Sequence, residues 1–341
     1  MRSLICSTLL ALSLLPASFL PALAETAGSQ SNSESRAANG HLAIAENGRR
    51  PKIGLALGGG GARGAAHVGV LKVLEEEGIP VDFVVGTSIG SVVGGLYAAG
   101  VPLSKVEESF TNSHLMKSFM TVPLWVRIVA APVMVMPRLW SHPYDGLYKG
   151  NKFRNFLTAE VPSAERNIED LKIPYSAVAT SLVDGRPHRI SKGSLGYAMQ
   201  ASCAVPGLRK PVQIGNDLFC DGYVSANVPV KQCKEMGADI VIAVCIDEQL
   251  LPEPLDNFRK IGSVSRRLIK MQLRDIAEPA LAQANVAIHP NVDGISLIST
   301  KKSDAQRGIK AGEAAAKAAI PSIKQKLAEA GIGIAGSAQT N

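Results

Sequence analysis

The chain has 341 residues, 46% hydrophobic and 19% charged, with only five cysteines. That balance excludes a disordered, collagen-like or disulfide-stapled protein and leaves enough chain for one sizeable core. A formal charge of +7 suits an anionic lipid or a nucleic acid, but no nucleic-acid-binding motif is present.

Residues 1–24 have the layout of an export signal. Arg2 is positive, Leu4 to Leu20 is mostly apolar and uncharged, and Ala22-Leu23-Ala24 is an A-x-A cleavage site. The other reading is an uncleaved membrane anchor, against which stand the shortness of the run and its interruption by Pro16 and Pro21. Residues 25–50, rich in Ser, Asn, Ala and Gly, offer little to bury and read as a flexible linker. A folded domain is expected over 51–330, followed by a frayed tail at 331–341. This layout predicts a periplasmic or secreted protein. After cleavage four cysteines remain, Cys203, Cys220, Cys233 and Cys245. Most lie in or beside apolar runs, where a buried thiol is as natural as a disulfide, and their spacing gives no zinc pattern.

Ile53 to Leu57 reads as a short buried strand and runs into Gly58-Gly59-Gly60-Gly61-Ala62-Arg63-Gly64. Ala65 to Glu77 has apolar residues at Val68, Leu71 and Leu74 and ends at Gly78, as a glycine-capped helix does. Val81 to Val85 predicts a second strand, followed by Gly86-Thr87-Ser88-Ile89-Gly90. A right-handed crossover between parallel strands places both glycine-rich turns at one carboxyl edge of a sheet. There a G-x-S-x-G turn lifts the Ser88 hydroxyl clear of the backbone. Bare N–H groups of Gly59, Gly60 and Gly61 can face an oxyanion beside it. Arg63 either fixes that loop or meets a lipid phosphate. Gly59 to Gly64 also fits the dinucleotide fingerprint. That reading wants an acidic residue closing the second strand, whereas Asp82 opens it.

From Ser109 to Tyr144 there is no acidic residue. Phe119 to Trp140 is apolar, holds Trp125, Arg127 and Trp140, and is broken by Pro123, Pro132 and Pro137. It suits contact with a membrane surface or a buried, lid-like insertion, and is too interrupted to span a bilayer.

A serine nucleophile needs a base. Leu218 to Cys220 predicts a strand ending at Asp221-Gly222, with Asn227 placed to hold the turn. A desolvated aspartate there has a raised pKa and can take the serine proton directly. Asp221 can equally be an ordinary turn residue, as Asp145, Asp184 and Asp293 are read to be. Ser88, Asp221 and His289 also follow the α/β-hydrolase triad order, although His289 precedes Pro290 and reads as structural. His67 reads as a packing residue of the first helix. Ala238 to Ile246 predicts a further strand. Ser263 to Ala284 predicts a helix whose Arg266, Arg267, Lys270 and Arg274 form a solvated face. Gly312 to Ala330 predicts a terminal helix.

Taken together, these motifs resemble those of bacterial patatin-like phospholipases. Gly59-Gly60-Gly61-Ala62-Arg63-Gly64 matches the family's G-G-G-x-[KR]-G, and Gly86-Thr87-Ser88-Ile89-Gly90 its G-x-S-x-G. Asp221-Gly222 matches D-G-[GA], with Asn227 and Pro229 at the family's spacing. Ala201 to Gly207 is similar to the segment that precedes the family aspartate. Tyr223 departs from the pattern, standing where Gly or Ala is preferred. The resemblance implies a three-layer α/β/α domain with a mostly parallel central sheet. It also implies a Ser88–Asp221 dyad without histidine, no cofactor, and hydrolysis of a phospholipid or lysophospholipid. A non-catalytic acyl-binding or scaffold protein on the same fold is the alternative that Tyr223 favours.

Overall fold

Ile53–Leu57, five consecutive buried residues, form β1. A strand so apolar needs cover on both faces and a partner on each edge. In the structure, a computed structural model describing residues 50–120, 144, 146–163, 166–260 and 262–332, those partners are β2 (Phe83–Thr87) and β7 (Ile240–Val244), both parallel. The readings for residues 1–24 and 25–49, for Trp125, Arg127 and Trp140, and for residues 333–341 lie outside the described residues.

Outward from this centre, β8 (Val286–Ile288) pairs in parallel with β7, and β3 (Tyr175–Ser181) with β2. Beyond β3 the pairing turns antiparallel, to β4 (Pro187–Ile190) and β6 (Asp217–Asp221), and β6 to β5 (Val212–Ile214). The sheet is therefore mixed but mostly parallel, as expected.

The register around β3 decides the site. Ala177 and Val178 are paired to β2 and also to β4, whereas Ala179 and Thr180 are paired to β4 and also to β6. Since a strand has two edges, β2 and β6 share one edge of β3 and approach each other end to end. Thr87 faces Val178 and Asp221 faces Ala179. The residue after β2 is thereby brought against the last residue of β6.

Side-chain alternation along the strands builds the two helical layers. Ile53, Leu55 and Leu57 face one way, into a core with α1 (Ala65–Glu76) and α2 (Ile89–Ala98). The same layer holds α3 (Leu103–Thr111), α4 (His114–Phe119), α5 (Asn151–Glu160) and α6 (Leu195–Ser202). Ala56 faces the other way with Val241 and Ala243. It packs beneath α7 (Tyr223–Ala226), α8 (Val230–Glu235) and α9 (Ser263–Leu281). The last helix, α10 (Lys302–Glu329), lies against α1 in the first layer. Among the described residues no helix is long and apolar enough to cross a membrane.

Three boundaries differ from expectation. β2 starts at Phe83 rather than Val81 and runs through Thr87. Asp82 is left outside the ladder, where its carboxylate accepts the Ile53 N–H at 2.7 Å and pairs with Arg50. β7 is shorter than the apolar run Ala238–Ile246. α10 begins ten residues before Gly312, because Gly308 and Gly312 are contact positions in the helix and not breaks. A Cβ at Gly312 would lie 2.0 Å from the Ala66 carbonyl oxygen, so glycine lets α10 press onto α1.

Candidate active site

The loop after β1 is fastened on every side except one. Gly58 N–H donates to Val244 O at 3.0 Å, and its carbonyl accepts from His67 Nε2 at 2.8 Å. His67 is fully buried, and burial lowers its pKa to about 4. It is a neutral packing residue that holds the loop, as its position in the helix suggests. Gly59 N–H points at Asn227, within 3.2 Å of the backbone oxygen and 3.1 Å of Oδ1. Ala62 N–H donates to Leu297 O at 2.8 Å. Arg63 is buried, donates from Nε to Ile295 O at 2.8 Å and pairs with Glu248 at 2.8 Å. It therefore anchors the loop and is not presented to a lipid phosphate. Only the Gly60 and Gly61 N–H groups of the triglycine have no acceptor among the described residues. Gly59, expected among the oxyanion donors, is instead a positioning residue.

Ser88 stands between β2 and α2 at φ 53°, ψ −124°. A non-glycine residue with such a backbone costs roughly 1–3 kcal/mol and persists only where its surroundings impose it. Here the Ser88 N–H donates to Ser202 Oγ at 2.8 Å, and Ser202 in turn donates to Val178 O at 2.6 Å. The Ser88 carbonyl accepts from the Ser91 hydroxyl at 2.6 Å. The flanking glycines allow the tight turn. A Cβ at Gly90 would lie 2.3 Å from Leu57 O, and one at Gly86 would lie 2.4 Å from Gly90 O. Gly64 backs onto Ile89 and Gly222 onto the Val178 carbonyl in similarly close contacts.

Ser88 Oγ donates to Asp221 Oδ2 at 2.7 Å. The other carboxylate oxygen accepts the Tyr223 N–H at 3.0 Å. Asp221 is 0% exposed. Burial pushes its pKa up to about 7, opposed by the Tyr223 and Ser88 hydrogen bonds and by the Arg209 charge. A carboxylate with that pKa can accept a hydroxyl proton and return it near neutral pH. Since Tyr223 acts here through its backbone N–H, its departure from the family pattern does not disturb the Ser88–Asp221 hydrogen bond.

Two alternatives fail on position. His289 is exposed at the end of β8, three strands from β2, which at the usual strand spacing is roughly 14 Å. The Ser-His-Asp arrangement does not form. The dinucleotide reading fails because Asp82 lies at the opposite end of β2 from the glycine loop.

Three groups escaped sequence reading. Ser202 bridges Ser88 to β3. Asp247 Oδ2 accepts Asn227 Nδ2 at 2.7 Å, continuing the chain Asp247–Asn227–Gly59 behind the loop. Arg209 is buried between the Phe119 and Phe153 rings, at 4.5 and 4.8 Å, and donates to Phe119 O at 2.9 Å. Burial lowers its pKa to about 10. For Ser202 the family-like segment Ala201–Gly207 was a signal; for Arg209 and Asp247 the sequence held none. The four cysteines from Cys203 to Cys245 are free and buried.

Residues 55–234 match the family model for patatin-like phospholipases. A patatin-like phospholipase domain-containing protein of Caenorhabditis elegans is 42% identical over 198 residues, 56% of this chain and 13% of that protein. An NTE family protein of Mycobacterium bovis is 34% identical over 58% of this chain and 49% of its own length. The lysophospholipase NTE1 of Yarrowia lipolytica is 33% identical over 56% of this chain and 12% of that protein. This chain thus spans about half the length, or less, of these curated relatives. VipD from Legionella pneumophila aligns over 81% of this chain and 67% of its own, with a TM-score of 0.45 and 15% identity. Nematode, mycobacterial and yeast proteins match alike, so the likeness is to the family as a whole and does not single out its bacterial members. The motifs, their placement at one sheet edge and the family model over residues 55–234 agree: the chain belongs to the patatin-like phospholipase family.

Proposed function

We propose that the protein is a lipid acyl hydrolase, of phospholipase A or lysophospholipase type, that works through a Ser88–Asp221 dyad. The observation that carries this reading is the 2.7 Å hydrogen bond from a serine on a strained elbow to a fully buried aspartate. Asp221 takes the Ser88 proton as Oγ bonds to the acyl carbonyl carbon. The resulting oxyanion lies against the Gly60 and Gly61 N–H groups. Collapse breaks the ester bond, and Asp221 returns the proton to the departing alcohol. Water, deprotonated by Asp221, then attacks the acyl-enzyme and releases the fatty acid and free Ser88. Support comes from the family membership and from the lysophospholipase among the relatives. The signal-like residues 1–24 support export, and Trp125, Arg127 and Trp140 support a membrane-facing role for their segment.

The test is labelling with a fluorophosphonate alongside hydrolysis of a chromogenic fatty-acyl ester. Wild type labels and turns over. Ser88→Ala abolishes both, and Asp221→Asn cuts both by at least about a thousandfold, the order seen when a nucleophile's base is removed. An unlabelled, inactive wild type would reject the hydrolase and favour the acyl-binding scaffold.

A further inference from the structure

α9 turns apolar residues away from the sheet it packs on. Its buried positions are Ser263 and Ala277, and Ala277 joins the Ala56, Val241 and Ala243 core. On the outward side Val264, Leu268 and Met271 recur at helical spacing. Ile269 stands exposed near them, and Leu251 and Leu255 come from the segment leading into the helix. These six side chains are between 37% (Met271) and 86% (Leu255) exposed. The Arg267–Glu253 pair, at 3.1 Å, ties that segment to the helix. Large apolar residues scattered singly over a surface are ordinary, whereas a concentration such as this marks an interaction site.

Most charges around the patch are paired, Arg259 with Asp256 among them, and the unpaired ones are positive. Arg267, Lys270 and Arg274 are each held by acidic neighbours. Lys260 and Arg266 are exposed, and their side chains pair with no acidic group among the described residues. The helix that bears this face is also joined to the site. α9 packs on α7, the helix that follows Asp221, and Lys270 shares Glu248 with Arg63 of the glycine loop.

We propose that the outward face of α9, with Leu251 and Leu255, docks on the surface of an anionic lipid bilayer. This deepens the lipid-hydrolase reading and rests on it, because a long-chain acyl substrate resides in a bilayer. Leu, Ile, Val and Met side chains enter the interface while Lys260 and Arg266 meet anionic headgroups. A second copy of this chain, also carrying +7, is repelled where an anionic bilayer is attracted.

The experiment uses full-length Ser88→Ala protein, so that no lipid is consumed, and measures co-sedimentation with vesicles of phosphatidylcholine alone or with phosphatidylglycerol. Leu255→Ser with Leu268→Ser weakens binding to both vesicles by roughly tenfold or more, from the apolar burial lost. Lys260→Ala with Arg266→Ala weakens binding to the phosphatidylglycerol vesicles alone, by roughly fivefold per charge. With Ser88 restored, both pairs of substitutions keep full turnover of a soluble short-chain ester. Unchanged vesicle binding overturns the docking surface. So does loss of soluble-ester turnover, which makes the face structural, or vesicle binding unchanged while self-association falls, which makes it a dimer contact. If wild type hydrolyses no ester while vesicle binding still depends on these residues, the hydrolase reading fails and the lipid-docking surface stands.

Discussion

Ser88 and Asp221 meet because β2 and β6 abut along one edge of β3. Thr87 is in register with Val178 and Asp221 with the next residue, Ala179. The 2.7 Å contact between the two side chains is thus a consequence of strand register. It involves no histidine, since Asp221 arrives on an antiparallel strand running head-on toward Ser88.

Burial of Asp221 sets a pH dependence. The proposed mechanism needs Asp221 ionised, and its pKa is raised to about 7. log(kcat/KM) for a soluble ester therefore rises with unit slope as pH increases to about 7 and levels off above it. A limb near pH 4 instead would identify an ordinary solvated carboxylate as the titrating group.

The same burial weakens the fold. With its folded pKa above the usual 3.8, Asp221 contributes most to stability below pH 4, and that contribution is lost as pH rises through about 7. Asp221→Asn removes the charge while keeping an acceptor for the Tyr223 N–H. It is expected to stabilise the inactive protein by roughly 4 kcal/mol at pH 8, falling toward zero near pH 4. Denaturant titrations at the two pH values measure this.

Asn227 and Asp247 hold the glycine loop from behind. Asn227→Leu is expected to lower kcat by roughly 10–100-fold with little change in KM, since it displaces donors that matter in the transition state. Asp247→Leu behaves alike, and the double variant is no worse than either single one. Asp247→Asn, which still accepts from Asn227, stays close to wild type.

Arg209 places a buried positive charge where it lowers the pKa of Asp221. Arg209→Gln shifts the acidic limb of kcat/KM to higher pH, whereas Arg209→Lys retains the charge and the limb. Both lose the guanidinium packing between Phe119 and Phe153, and Arg209→Gln destabilises the fold by roughly 2–4 kcal/mol. A pH profile unmoved in Arg209→Gln would reduce its role to packing.

Much of the local design is written in short stretches of chain. Apolar Ile53–Leu57 can only be a buried strand, Gly78 closes α1 at φ 64°, and the glycines around Ser88 permit an elbow that a Cβ would block. The elbow at Ser88 and the glycine loop beside it were legible for that reason, as was the alternation of strand and helix through α2. Less legible were Gly308 and Gly312, because a glycine that ends a helix and one that admits a neighbouring helix look the same in sequence.

What the tertiary structure alone decided is which distant groups meet. Ser88 and Asp221 are 133 residues apart, and their contact depends on β6 entering antiparallel in one register. Gly59 could not be told from Gly60 and Gly61 until Asn227, 168 residues away, was seen to take its N–H. Arg209 and Asp247 carry no local signature, because a polar side chain acquires its role from what packs around it. Sequence by itself specifies the backbone freedom and the chemistry available at each position. Long-range strand pairing and burial determine which of those groups share a site, and burial gives Asp221 its raised pKa.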